Sequence, residues 1–293
     1  MSYELVETKI KVSDFDLKHT FESAQPLTFF GDFSNNSVFY VSQYMPILVN
    51  YLGDSSDGTL SAVTIDDKWA KKELTKRFRL NDDMKKIYKQ INTDKYLDSS
   101  IKRYRGMRVT LNDPWETTVC FIISQFNNVK RIRGIIKNIV DKYGAQIEAD
   151  GEKVAKTFPT SEELMNATTR DLLACGTGFR AKYIQHAAEY CTNNLDLNKL
   201  NPKKYDKLKE ELLEINGIGD KVADCIILMG YGNFNAFPVD VWIKRTMEQL
   251  YFKGKKQSMR KIKDLAEENW HDMRGYAQQY LFHDSRSNKG ISL

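Results

Sequence analysis

Apolar positions divide the chain into a first part that alternates and a second part that follows the helical period. Over residues 3 to 12 and 37 to 65 apolar and polar residues alternate, with β-branched and aromatic types enriched, and turn signals fall at Ser34-Asn-Asn36 and Gly53-Asp-Ser-Ser-Asp-Gly58. This pattern predicts an antiparallel sheet. Lys68 to Leu80 and Asp82 to Ile91 switch to helical spacing, which gives an α+β unit over residues 1–105. From Pro114 the pattern predicts helices over 114–125, 128–143, 168–174, 180–193, 203–215, 219–230, 240–252, 258–269 and 272–283, so residues 106–293 are expected to form an all-α unit.

The strongest local signal lies within 205–230. Leu208, Leu212, Leu213 and Ile215 recur at helical spacing before Asn216-Gly-Ile-Gly219, and Val222, Ala223, Ile226 and Ile227 recur after it. Two helices are therefore joined by a very short hairpin. Gly217 and Gly219 let the backbone turn and approach a ligand, and the free N–H groups that open the second helix suit a phosphate. A plain helical hairpin with a glycine cap fits the same spacing.

Two residues beside the hairpin carry candidate chemistry. Lys221 sits in the first turn of the second helix, where the dipole's positive end disfavours an ammonium and so favours a nucleophilic amine. Cys225 follows one turn later on the same face. Asp240, after Pro238, precedes the apolar-periodic run Val241 to Leu250 and reads as an N-cap, a structural role sufficient by itself.

Composition narrows the class. With 41% hydrophobic and 28% charged residues in 293, the chain reads as globular, and no apolar run approaches a membrane span. The absence of a signal-peptide core predicts an intracellular protein, and a monomer is the default expectation. Cys120, Cys175, Cys191 and Cys225 lack short paired spacing, which argues against a zinc site or iron–sulfur cluster. The net charge of +5 is mild, so clustering matters more: Lys253, Lys255, Lys256, Arg260, Lys261 and Lys263 form one group, and Lys102, Arg103, Arg105 and Arg108 another. Each group is either a nucleic-acid footprint or a solvated face.

The hairpin, a lysine two residues past its second glycine and Pro238-Val-Asp240 beyond it resemble the helix-hairpin-helix DNA glycosylases, and Lys221-Val-Ala-Asp-Cys225 resembles the 8-oxoguanine DNA glycosylases in particular. Gly275-Tyr-Ala-Gln-Gln-Tyr-Leu-Phe282 is similar to that family's Gly-Trp-Ala-Gln-x-x-Leu-Phe. Gly178-Phe-Arg-Ala-Lys-Tyr183 resembles its Gly-Tyr-Arg-Ala-Arg-Tyr, and Ser124 to Ile132 its void-filling loop. Phe21 to Phe30 resembles Ser-Gly-Gln-Ser-Phe-Arg-Trp, with Ala24 in place of the glycine. The family carries a twisted sheet domain before its helical domain, compatible with the alternating segments here.

The resemblance implies a bifunctional glycosylase and AP lyase acting on duplex DNA that contains an oxidised purine. Lys221 would attack the sugar C1′ and Asp240 would assist departure of the base. Ala24, Cys225, Gln278, Phe282 and Trp242 would surround the flipped base, Trp242 standing where the family often has histidine. Gly217, Gly219, Phe126, Asn127, Arg131, Phe179 and Arg180 would contact DNA, with Phe126 where well-known members have asparagine. Backbone carbonyls of Leu213, Ile215 and Ile218 would hold a monovalent cation; no redox cofactor or catalytic metal is implied.

Three alternatives stay open. Phe179 suits a helix-start staple as well as a wedge between base pairs. An alkylated-base glycosylase of the same superfamily would lack the nucleophilic lysine. A non-catalytic DNA-binding protein would need neither Lys221 nor Asp240.

Overall fold

The computed structural model describes residues 5–25, 28, 30–32, 36–42, 45–149 and 152–287. Five strands form one antiparallel sheet: β1 (Val6–Ser13), β2 (Phe30–Asp32), β3 (Ser37–Ser42), β4 (Met45–Gly53) and β5 (Asp57–Thr64), ordered β1-β5-β4-β3-β2. Alternation does what it predicts in β4, where Ile47, Val49 and Tyr51 are buried while Leu48 and Leu52 face out. Helices α1 (Leu17–Glu22) and α2 (Asp67–Arg77) close the inner face, and Phe15, Phe21, Leu74 and Phe78 fill the core between them. Residues 3 and 4 of the first predicted strand, and Ser34 and Asn35 of the first turn, lie outside the described residues.

A second, larger core is helical. It takes in α3 (Met84–Ile91), α4 (Lys95–Arg103), α5 (Pro114–Ser124), α6 (Val129–Tyr143), α7 (Ser161–Met165), α8 (Thr169–Ala174), α9 (Ala181–Asn193), α10 (Tyr205–Leu213), α11 (Asp220–Gly230), α12 (Val241–Tyr251), α13 (Met259–Trp270) and α14 (Arg274–Ser287). Their N-termini are set by short polar caps: Asp83, Asp94, Asp113, Asn128, Thr160, Thr168, Asp240 and Ser258 each accept a backbone N–H of the first turn. Pro114 occupies the first turn of α5, where its missing N–H costs nothing. A two-stranded hairpin, β6 (Gln146–Ala149) and β7 (Glu152–Lys156), interrupts the helices where periodicity gave no signal.

The last helix joins the two cores. The Tyr280 hydroxyl donates to the Met107 carbonyl at 3.0 Å, Ser100 donates to the Tyr280 carbonyl at 3.1 Å, and Tyr276 donates to Asp82 at 3.0 Å. Gln279 reaches the sheet domain, donating to the Ser23 carbonyl at 2.8 Å. No helix among the described residues is long and apolar enough to cross a membrane.

Candidate active site

Residues 216–219 form the predicted hairpin, and its two glycines differ. Gly217 has φ +92°, and a Cβ there would lie 2.5 Å from Cγ of Tyr183, so both conformation and space require glycine. Gly219 has an ordinary φ of −100° and open space around it, and it caps α11 without a side-chain acceptor. The start of α11 is thus left without a side-chain cap, which suits an anion.

An ion cluster centred on one buried carboxylate holds the hairpin in shape. Asp224, fully buried on α11, accepts from the Tyr205 hydroxyl at 2.7 Å, Lys209 at 3.0 Å and Lys263 at 2.5 Å, and both lysines also bridge to Asp220 at 2.5 Å. Lys263, grouped by sequence with a possible DNA footprint, is therefore committed to positioning α10, α11 and α13. Its neighbours Lys253, Lys255, Lys256, Arg260 and Lys261 are exposed.

Beside the hairpin lies a cavity of about 270 Å³ between the two cores. Its wall contains both expected catalytic residues, Lys221 and Asp240, and all five expected pocket residues, Ala24, Cys225, Trp242, Gln278 and Phe282. Asn127 also reaches it. The Lys221 ammonium lies 5.2 Å from the Phe121 ring centre. Burial pushes the Cys225 thiol up to about 11, against the opposing pull of Lys221, so the sulfur is a neutral, polarizable wall. Asp240 is the cap of α12, accepting the Ile243 N–H at 2.8 Å through Oδ1. A cap and a cavity carboxylate are one and the same group.

Gln278 is buried. Its amide nitrogen donates to the Pro238 carbonyl at 3.2 Å, and its Oε1 is buried with no protein partner. Phe282, one turn later, presents its ring to the same space. Ala24 adopts φ +63°, the left-handed conformation a glycine would take without strain. The surrounding Phe21–Phe30 segment is described only in part, since Pro26, Leu27 and Phe29 lie outside the described residues.

The remaining expected DNA contacts lie outside the cavity wall. Phe126, 93% exposed, sits at φ +48°, and its ring meets that of half-exposed Phe179 at 6.3 Å. Phe179 is therefore not stapled into the core. Arg131 is exposed. Arg180, by contrast, is buried: its guanidinium donates to the carbonyls of Gln125, Phe126 and Thr177. It braces the loop that presents Phe126. Gln125 completes the brace, donating to the Gly217 carbonyl at 2.9 Å.

The second basic group is engaged within the protein. Arg108 is buried and donates to the carbonyls of Ser13, Asp14, Arg79 and Asp82, while Lys102, Arg103 and Arg105 pair with Asp98, Asp284 and Asp14. Arg103, Arg105 and Arg108 thereby link separate elements, whereas Lys102 and Asp98 form an exposed pair on one helix. Sequence reasoning also missed wall residues, chiefly Phe121, Gln279 and Arg286. The spacing Gln278, Phe282, Arg286, four residues at a time, was the available signal for the last.

Residues 119–272 match the HhH-GPD superfamily of base excision DNA repair proteins, and residues 7–118 match the 8-oxoguanine DNA glycosylase N-terminal domain. A probable N-glycosylase/DNA lyase of Methanothermobacter thermautotrophicus is 32% identical over 76% of this chain and 77% of its own length. The N-glycosylase/DNA lyase of Saccharomyces cerevisiae is 28% identical over 86% of this chain and 72% of its own. The crystal structure of Clostridium acetobutylicum 8-oxoguanine glycosylase/lyase, bound to double-stranded DNA containing cytosine opposite 8-oxoguanine, superposes with a TM-score of 0.86 at 31% identity, covering 98% of this chain and 99% of that one.

Proposed function

The chain belongs to the HhH-GPD superfamily of base excision DNA repair proteins, in its 8-oxoguanine glycosylase/lyase family, and on that premise we propose that it flips 8-oxoguanine out of duplex DNA, excises it and nicks the abasic site. The observation that carries the reading is the meeting of Lys221, Asp240, Gln278 and Phe282 around one cavity. At about 270 Å³ it falls just below the ~300–1,000 Å³ of pockets for drug-sized ligands, a size suited to a single heterocycle.

Each residue takes a role from its surroundings. Phe282 and Cys225 offer flat and polarizable faces for the base, and Oε1 of Gln278 accepts from the N–H groups of its Watson–Crick edge. The Ala24 carbonyl is the candidate acceptor for the N7 proton that 8-oxoguanine has and guanine lacks. Phe126 and Phe179 enter the stack, offsetting the few kcal/mol that unstacking costs. Arg131 reaches toward the opposite base, and Gly217 and Gly219 bring backbone against phosphate.

The chemistry is a substitution followed by an elimination. The free amine of Lys221 forms a bond to C1′ as the bond to the base nitrogen breaks, and the base leaves with a proton. Asp240 stabilises the positive charge that develops on the sugar. Loss of a proton and ring opening give an imine, from which loss of the C2′ proton expels the 3′ phosphate. The carbonyls of Leu213, Ile215 and Ile218 are neutral oxygen donors suited to a monovalent cation beside a DNA phosphate; that of Ile215 already accepts the Ile218 N–H and keeps one lone pair.

Asp240→Asn separates chemistry from folding, because asparagine caps a helix as well as aspartate does. Single-turnover release of 8-oxoguanine is expected to fall about 10²–10³-fold while duplex affinity and thermal stability hold. Unchanged release would remove Asp240 from the mechanism.

A further inference from the structure

Arg286 lies on α14 two turns beyond Gln278 and one beyond Phe282, and all three line the cavity. Its guanidinium carbon is 5.3 Å from the Phe282 ring centre, and one of its terminal nitrogens, Nη1, is buried with no hydrogen-bond acceptor. A buried guanidinium N–H left unpaired is costly, so an acceptor is expected when the cavity is filled. Gln278 supplies the complementary orphan, a buried Oε1 with no donor. One helix face thus carries an acceptor, an aromatic platform and a cationic donor in sequence.

Resting on the base-excision reading above, we propose that Arg286 selects the flipped base: it donates to the O8 carbonyl of an oxidised purine and by its charge turns away purines that carry a positive charge. Eight residues of helix span about 12 Å, and helical side chains lean toward the N-terminus, so Arg286 covers the end of the cavity away from Gln278. A purine with its Watson–Crick edge on Gln278 directs its imidazole edge toward that end. There 8-oxoguanine has an oxygen, guanine has C8–H and leaves the arginine unpaired, and 7-methylguanine brings a like charge. Asp240 is the single acidic residue of the cavity wall; it caps α12 through Oδ1 and is present in every variant compared, so the effect of Arg286 is read against the same carboxylate.

The test measures affinity in a Lys221→Gln background, where no turnover occurs, for duplexes containing 8-oxoguanine, guanine, 7-methylguanine or a tetrahydrofuran abasic analogue. Adding Arg286→Gln is expected to weaken binding of the 8-oxoguanine duplex roughly ten- to a hundredfold, leave the tetrahydrofuran duplex unchanged and strengthen the 7-methylguanine duplex. Arg286→Lys keeps the charge, so it is expected to retain rejection of 7-methylguanine while losing part of the 8-oxoguanine affinity. Equal losses on the tetrahydrofuran and 8-oxoguanine duplexes would make the arginine a phosphate contact. Equal losses on both modified bases would make it a support for Phe282, and no change would leave it without a role; each overturns the proposal. Failure of the wild type to release 8-oxoguanine would instead overturn the base-excision reading.

Discussion

Gly217 and Gly219 are two residues apart, yet the backbone asks different things of them. Alanine at 217 must adopt φ +92° and push into the Tyr183 ring, whereas alanine at 219 meets nothing within 4 Å at an ordinary φ. Gly217→Ala is expected to destabilise the fold by about 2 kcal/mol or more. Gly219→Ala should leave the melting temperature within a degree or two and weaken duplex binding, because its methyl group intrudes where a phosphate approaches. Thermal melts and duplex titrations of the two variants check this; equal destabilisation by both would refute the distinction. Both glycines were legible in the sequence as a hairpin. Their division of labour was not, because the obstacle to a side chain at 217 is a ring from α9, remote in sequence.

At the scale of elements, the strongest periodic segments were legible to within a few residues, and the short ones were not. β6 and β7 have only four and five residues, and Glu152-Lys-Val-Ala-Lys156 offers no alternation to distinguish a strand. The α1 and α4 helices were likewise missed, although Asp16 and Asp94 cap them and could have marked their starts. Sequence also gave no hint of the charges buried between α2 and α5. Arg77 pairs with Glu73 at 2.8 Å and meets Glu116 at 3.9 Å, one cation between two carboxylates. Burial pushes the Glu116 carboxyl up to about 8, Arg77 opposing and Asp113 and Glu73 reinforcing.

The folded protein therefore holds a proton on Glu116 that the unfolded chain releases near pH 4.5, and this residue's contribution to stability falls as pH rises from about 4.5 to about 8. Glu116→Gln removes that dependence. Relative to wild type, the variant should gain stability progressively across this window, by at most ~1.4 kcal/mol per pH unit. Denaturant melts at pH 5 and pH 8 check it; a stability difference that is the same at both pH values would contradict the assignment.

At the scale of the whole molecule, charge composition was the least informative feature and the order of motifs the most. Arg103, Arg105 and Arg108 tie α4 and the loop after it to α14 and the sheet domain, and Lys263 fastens the hairpin, so four of the ten clustered cations hold elements together. No residue count distinguishes a paired cation from a free one. The motifs, in contrast, converge: Ala24 from the sheet domain, Lys221 and Cys225 from α11, Asp240 from the α12 cap, and Gln278 and Phe282 from α14 enclose one cavity although they span most of the chain. That convergence depends on α14 packing against both cores, through Tyr276, Tyr280 and Gln279. The octapeptide that contains Gln278 also contains the residues that seat its helix.

The central claim is that the amine of Lys221 becomes covalently bound to the sugar. Borohydride added during reaction with a duplex containing 8-oxoguanine opposite cytosine reduces such an imine to a stable cross-link. The account predicts a trapped protein–DNA adduct for the wild type and none for Lys221→Gln, with the variant still binding the duplex. Base release by the wild type without any adduct would contradict the account and point to water as the nucleophile.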